Sequence, residues 1–198
     1  MKSSIDGGLI RFEFDEALLK VVEDALGNMK SQSRKVLKNA VNATARQAKK
    51  DLAKKAQETY VVKQSRFTKA MDTQNATQGN LTATIKVTSA QLALKDFKAS
   101  PTSYKTGSAR PSAVRAKVLV ASGMKPLVAG TKAFIVKFKN GHVDIAQRKG
   151  KARYPIKKLL SNSIPVMIGN EDKVYGVVEP DIYDNLMGNI LKEIRKVT

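Results

Sequence analysis

The residues of this chain that could carry out chemistry are few, and the first candidates are His142 and Asp144. His142 is the only histidine, and the carboxylate of Asp144 follows two positions later. Residues two apart on a β-strand face the same side, so a histidine–carboxylate pair is geometrically possible. No serine or cysteine nucleophile motif accompanies the pair, and the chain has no cysteine. We therefore expect no catalytic residue, and we read the protein as a non-enzyme.

Cofactor and metal motifs are also missing from the sequence. Gly7 and Gly8 precede a candidate strand, but they do not form a phosphate-binding loop of the Walker or dinucleotide type. The acidic residues lack the spacing of an EF-hand or of a carboxylate–histidine metal set. We predict neither a cofactor nor a metal. A hydrolase built on paired carboxylates stays open as the third alternative, although no spacing favours it.

Positive charge is the strongest compositional feature of the chain, whose formal net charge is +19. Residues 25–143 carry 23 basic and 4 acidic side chains, and residues 144–158 carry 6 and 1, whereas 1–24 and 159–198 are mildly acidic. Such a middle segment repels itself unless a polyanion or an acidic surface neutralises it. The charge pattern therefore indicates nucleic acid or an acidic neighbouring subunit as the partner, against the alternative of a solvated basic face.

Basic residues in the predicted turns and strand ends are the candidate contacts to this partner. We predict that eight of them form the main DNA-facing or polyanion-facing surface: Lys105, Arg110, Arg115, Lys117, Arg148, Lys149, Lys151 and Arg153. Aromatic residues make up only 6% of the chain, and no zinc-finger, basic-zipper or RNA-binding motif is present. Contacts to phosphates without base recognition are what remains.

A long helical pattern from about Asp15 to Glu58 is the element around which the others must pack. Its stripe has helical spacing and consists of Leu18, Val22, Ala25, Met29, Val36, Ala40, Thr44, Ala48 and Leu52. Phe14-Asp15-Glu16 supplies a capping carboxylate at the start. Some 44 residues would span about 66 Å as one helix, so the helix either breaks near Gly27-Asn28 or protrudes. Alanines between Ala40 and Ala56 predict a close contact surface, although helix propensity alone also explains them.

The remaining segments predict strands and three further helices. We expect a loose lead over 1–8, strands over 9–14, 81–88, 114–120, 133–139 and 142–146, a short helix over 63–71, a polar turn over 72–80 and a flexible basic loop over 99–111. Asn140-Gly141 is a strong hairpin signal. We also expect a short helix over 164–168 and an amphipathic helix that begins near Glu179-Pro180-Asp181.

These elements predict an α+β fold, because no helical crossover lies between the strands. A long N-terminal helix would pack on an antiparallel sheet of about four to five strands, with a C-terminal amphipathic helix, in a single domain over 1–198. No apolar run approaches the ~18 residues of a membrane span. We therefore expect a soluble, intracellular protein without a membrane partner.

Two short motifs near the C-terminal third resemble the prophage minor tail protein Z family. They are Arg153-Tyr154-Pro155-Ile156 and Ser163-Ile164-Pro165-Val166-Met167. Residues 40–46, 60–63 and 81–85 are similar to the family's other shared stretches, so that the resemblance covers about 36–170. The chain departs from the family at Ser161-Asn162, where members more often have Gly-Pro.

The resemblance implies a structural component of a tailed bacteriophage, acting where the head-proximal end of the tail meets the head. It implies a ring of copies, a hexamer if it follows the sixfold symmetry of the tail. The implied partners are the tail terminator, head-closure or connector proteins, and genomic DNA bound without sequence specificity. The implied location is the virion neck, and the host cytoplasm during assembly. A free DNA-coating protein is the alternative that the charge alone also permits.

Overall fold

The computed structural model describes residues 2–13, 16–109, 111, 113–129 and 131–198. The chain divides into two compact units. The first unit comprises Met1–Ala56, Gln64–Ser89 and Ile164–Thr198, and the second comprises Gln57–Lys63 and Ala90–Ser163. The first unit holds the α-helices, apart from the last residues of the longest one, and the second is built mainly from short strands.

The first unit combines five helices with one four-stranded sheet. Its elements are β1 Lys2–Asp6, β2 Leu9–Glu13, α1 Glu16–Leu26, α2 Ser33–Thr59, α3 Gln64–Ala70, β3 Met71–Gln74, β4 Ala83–Val87, α4 Ile164–Ile168 and α5 Tyr175–Ile194. The sheet has the order β1-β2-β4-β3, and every neighbouring pair is antiparallel.

Of the two alternatives for the long helix, a break near Gly27-Asn28 or a protruding helix, the structure shows the break. Gly27 has φ +52°, a conformation that glycine adopts without the steric cost that other residues have, and a 3-10 helix over Gly27–Gln32 separates α1 from α2. Phe14 and Asp15, where we expected the strand end and the helix cap, lie outside the described residues.

The alanine-rich half of α2 is a contact surface within the chain, as predicted. Its buried positions are Ser33, Val36, Leu37, Ala40, Val41, Thr44, Ala45, Ala48, Leu52, Ala53 and Ala56. Helix α5 is hydrogen-bonded to α2 at two points, because Asn39 donates to Glu193 over 3.0 Å and Asn189 donates to Thr44 over 3.0 Å. Small side chains on α2 therefore coincide with close packing, which explains the pattern better than propensity alone.

Several element boundaries differ from the sequence predictions. The lead over 1–8 is not loose, because β1 pairs with β2 along Lys2–Asp6. The polar turn over 72–80 begins later than expected, since Met71–Gln74 forms edge strand β3. An edge strand is held by backbone hydrogen bonds to one neighbour, and its side chains can be polar. A search of the sequence for alternating apolar residues therefore does not find such a strand.

Helix α5 begins one turn before the predicted start at Glu179-Pro180-Asp181. Tyr175 and Val178 are buried, so the added turn packs apolar side chains into the core although Pro180 then lies inside the helix. Its core-facing residues Ile182, Leu186 and Ile190 are buried as the amphipathic pattern predicted. Among the described residues, no helix is both long and apolar enough to cross a bilayer.

The second unit contains three small antiparallel sheets. Its strands are β5 Gln91–Ala93, β6 Lys98–Ser100, β7 Arg115–Lys117, β8 Lys125–Pro126, β9 Phe134–Lys137, β10 Val143–Arg148, β11 Ile156–Lys158 and β12 Leu160–Ser163. Their orders are β11-β10-β9, β12-β5 and β6-β7-β8. The predicted hairpin at Asn140-Gly141 joins β9 to β10, where Phe138 N donates to His142 O over 2.8 Å.

The predicted α+β class is confirmed, with a long helix, a C-terminal helix and antiparallel pairing throughout the described strands. The strands are divided among several small sheets, of which the largest has four strands.

Candidate polyanion-facing groove

The positive charge of the chain is concentrated in the second unit. That unit carries 17 basic and 3 acidic side chains, a net charge of +14, whereas the larger first unit carries 19 and 14, a net charge of +5. Like charges at this density repel one another unless an anion lies nearby. The second unit is therefore the part of the chain where an anionic partner would bind most favourably.

A groove of about 670 Å³ in the second unit collects several of these cations. We call it the basic groove, and its charged lining residues are Lys105, Lys132, Lys137, Arg148 and Arg153. Tyr104, Tyr154, Ile156 and the apolar residues of β9 also line it. The described lining contains five cations and no carboxylate, so the surface of the groove is positively charged.

Strand pairing and two side-chain anchors place these cations around the groove. Strand β10 lies between β9 and β11, with Val143 opposite Lys137 and Arg148 opposite Ile156. The hydroxyl of Thr131 donates to the carbonyl of Arg148 over 2.7 Å. Buried Gln147 donates to the carbonyl of Ala129 over 2.6 Å. The segment before β9, which carries Lys132, is thereby fixed to the end of β10.

Arg153 and Tyr154 add an aromatic surface to the groove. The guanidinium carbon of Arg153 lies 5.7 Å from the centroid of the Tyr154 ring, within the range of a cation–π contact. Tyr154 is 65% exposed, so the ring can also touch a bound partner. A guanidinium held over a ring keeps its planar N–H groups available for phosphate oxygens.

The predicted polyanion-facing residues do not all lie together. Lys105, Arg148 and Arg153 line the basic groove. Lys149 and Lys151 are exposed in the turn between β10 and β11. Arg115 and Lys117 lie on β7 and are not among the described groove-lining residues, and Arg110 lies outside the described residues.

Sequence reasoning missed two groove residues, Lys132 and Lys137. Lys137 is the exposed last residue of β9, and Lys132 lies two residues before the start of that strand. The signal for Lys137 was the outward position of a lysine beside a hairpin. The sequence around Lys132 contains no such signal, because Lys132 reaches the groove only through the hydrogen bonds that hold its segment to β10.

The predicted pair of His142 and Asp144 forms in the structure, but two lysines join it. His142 Nε2 lies 3.3 Å from Asp144 Oδ2 and 2.7 Å from Lys95 Nζ. Lys158 Nζ lies 2.6 Å from the same carboxylate oxygen, and Lys95 also donates to the carbonyl of Val143 over 2.8 Å. Asp144 is only 1% exposed. We call these four side chains the Asp144 cluster.

Opposing effects set the charge state of Asp144. Burial alone would raise the pKa of its carboxyl, but hydrogen bonds from Lys158 and from the backbone N–H of Ile145, with the charges of Lys158 and Lys95, hold that pKa below its usual value. The carboxylate is therefore charged at neutral pH. From β10, the carboxylate of Asp144 binds Lys95 and also Lys158 of β11, so the cluster has a structural role.

The two C-terminal motifs have different structural roles. Tyr154 and Ile156 line the basic groove, whereas Met167 is fully buried in the first unit. A Cβ added at Gly8 would lie 3.2 Å from the Cβ of Pro165. Ser163, the last residue of β12, pairs with Gln91 of β5. The motifs therefore combine groove residues with packing residues.

The fold and its surfaces define a strongly basic α+β protein with a cationic groove. Within the described ranges, no group of three or more acidic residues or histidines could hold a metal ion. The model of the family described as prophage minor tail protein Z (GPZ) matches residues 19–198. The chain therefore belongs to the prophage minor tail protein Z family. No curated protein and no solved structure matches it.

Proposed function

We propose that this chain is a tail-completion or neck component at the head–tail junction of a tailed phage. Membership of the minor tail protein Z family supports a structural role in a phage tail. The basic groove supports a position beside the DNA path, because DNA presents a dense line of phosphates to whatever surrounds it.

One observation carries the proposal: five cations and no carboxylate line the basic groove among the described residues. A groove that read bases would need side chains ordered to match base edges, whereas lysines, arginines and an exposed tyrosine suit the sugar-phosphate backbone. The contacts are therefore to phosphates, independent of sequence and sensitive to salt.

In this proposal copies of the chain form a ring, a hexamer matching the tail, around the DNA path. The other partners are the tail terminator and the head-closure or connector proteins, which meet the ring on its two sides. The protein is located in the virion neck, after assembly in the host cytoplasm. Its role is non-enzymatic, and the Asp144 cluster is structural.

A quantitative mass-spectrometric inventory of purified virions tests this function. A neck component is present at a small, fixed copy number per particle, in a ratio to the terminator protein that does not change between preparations. A free DNA-coating protein would instead be absent from particles and would bind DNA in the lysate in proportion to its length. Absence from washed, nuclease-treated particles overturns the proposal.

A further inference from the structure

One face of α5 points to solvent although it contains apolar residues. Val177, Asp181, Asp184, Gly188 and Leu191 follow one another at steps of three and four, so they form a single stripe along the helix. We call it the α5 stripe. Val177 is 45% exposed and Leu191 is 55% exposed. Neither carboxylate has an ion-pair partner among the described residues.

Gly188 is an unusual residue at the middle of this stripe. A glycine inside a helix lowers helix stability relative to alanine, and Gly188 has no positive φ that would require it. Apart from the adjacent residues and the nearby backbone of α5 itself, no described atom lies within 4 Å of a Cβ built at this position. Packing within the chain therefore does not explain the missing side chain, whereas close approach of another molecule would.

A second surface, on the small sheet β6-β7-β8, has the opposite charge. Lys98 of β6 is directly opposite Lys117 of β7, and Ser100 is directly opposite Arg115. The residues between them, Ala99 and Ala116, are turned inward, so the cations share the outer face of the sheet. We call Lys98, Arg115 and Lys117 the β6–β7 face.

Like charges directly opposite each other on a sheet are destabilising. Within the described part of the chain, neither Lys98 nor Arg115 forms an ion pair, and Lys117 donates only to the carbonyl of Val120, over 2.8 Å. The β6–β7 face therefore gains stability when an anionic surface covers it.

We propose that the α5 stripe of one copy docks on the β6–β7 face of a second copy. This inference rests on the self-assembly in the proposed function and names the two surfaces that carry it. Asp181 and Asp184 meet the cations, and Gly188 lets the helix approach the strands. Val177 and Leu191 lose water at the two ends of the contact.

Charge complementarity and the apolar ends of the stripe favour a second copy over DNA. A DNA backbone satisfies the cations of the β6–β7 face but leaves the α5 stripe, with its carboxylates and exposed apolar side chains, uncovered. Contact between two different surfaces of identical chains is heterologous, and such contacts close into rings when the rotation permits. The basic groove does not take part in this contact, so it stays available to DNA.

A charge exchange between the two surfaces tests the inference on the purified, nuclease-treated full-length protein. Variant one is Asp181→Lys/Asp184→Lys, and variant two is Lys98→Glu/Arg115→Glu. Assembly is followed by sedimentation velocity over a concentration series. Each variant alone should raise the concentration for half-assembly at least roughly tenfold. An equimolar mixture should restore assembly, because each variant then meets a surface of the other with opposite charge.

The matched control for variant one is Asp24→Lys/Asp172→Lys, which makes the same change in net charge as variant one at exposed acids outside the α5 stripe and should assemble like wild type. Gly188→Gln should keep or raise the melting temperature, since glutamine favours a helix more than glycine does, and should lose assembly because its added side chain meets only the second copy. Assembly of wild type with no loss in either variant overturns the named surfaces but not the ring. A wild type that stays monomeric at every concentration overturns both.

A result in which Lys98→Glu/Arg115→Glu loses duplex binding and keeps assembly would assign the β6–β7 face to DNA and would also overturn the inference. Circular dichroism of each variant distinguishes a lost contact from a lost fold.

Discussion

Lys158 places its ammonium nitrogen 2.6 Å from the buried carboxylate of Asp144, and this ion pair joins two neighbouring strands of the second unit. The position resembles that of an active-site carboxylate, since the histidine also lies beside it. Its partners, however, are two lysines from other segments, Lys95 and Lys158, and a backbone N–H of the same strand. A carboxylate held in its charged form by two cations stabilises the fold and has little tendency to accept a proton.

The first prediction concerns the pH dependence of stability at Asp144. The pKa of this carboxyl is lower in the folded protein than in the unfolded chain. The carboxylate therefore adds to the free energy of unfolding at pH values above the pKa of the unfolded chain, and this contribution is lost as pH falls through the pKa of the folded protein. Asp144→Asn should lower the free energy of unfolding by about 1–3 kcal/mol at neutral pH, since the lysines lose their partner. Urea unfolding at several pH values should show that difference shrinking in acid. An equal difference at every pH would contradict the account, and Asp72→Asn, at an exposed position, is the control.

The second prediction tests the structural reading of His142. His142→Ala removes one partner of a part-exposed cluster, so stability should fall by less than about 1 kcal/mol and infectious particles should still assemble. Plaque counts and particle counts from a complemented phage measure this. Particles of normal composition and number that have lost infectivity would point to a chemical role for the histidine.

Close packing along α2 gives the third prediction. Ala48 is buried with 1% exposure, so Ala48→Leu should overfill the contact and lower the free energy of unfolding by about 1–3 kcal/mol. Ala43, on the same helix, is half-buried beside an open groove, and Ala43→Leu should change stability by less than about 0.5 kcal/mol. Thermal and urea unfolding of the two variants separate these outcomes. Equal stability for both would show that the α2 surface is not closely packed.

The fourth prediction concerns Gly8, which has φ +90°. A Cβ there would lie 2.7 Å from the carbonyl oxygen of Val87, and that backbone cannot move away cheaply because it belongs to the four-stranded sheet. Gly8→Ala should cost about 1–3 kcal/mol of unfolding free energy. Gly123→Ala, where the space is open and φ is not positive, should be close to neutral in the same unfolding assay.

Local patterns predicted the elements whose side chains repeat with a clear period. Helix α2 and the buried face of α5 follow from helical spacing, and the β9–β10 hairpin follows from Asn140-Gly141. Length and the glycine at position 27 marked the place where the long helix could break, but did not decide between a break and a protruding helix. In each case the information lies within one segment.

Two kinds of feature could not be predicted in this way. Edge strands β1 and β3 pair with the nearby strands β2 and β4 through backbone hydrogen bonds, which a polar sequence does not indicate. The other features depend on distant segments. The Asp144 cluster needs Lys95, which is 49 positions away in the chain. The basic groove brings together Lys105, from the segment between β6 and β7, and Arg148, the last residue of β10. The sequence supplied the types of these residues, and tertiary packing decided which of them meet.

Binding of duplex DNA by the purified protein as a function of salt tests the central claim, that the basic groove faces phosphates. Wild type should bind at low salt, with a log-log slope of about −0.9 per phosphate neutralised. Lys105→Gln/Arg148→Gln/Arg153→Gln should reduce the steepness of that slope by up to about 2.7, independently of DNA sequence. The control Lys35→Gln/Lys54→Gln/Lys69→Gln removes the same charge from exposed positions in the first unit and should keep the wild-type slope. A wild type that does not bind at low salt, or a groove variant with an unchanged slope, would contradict the account.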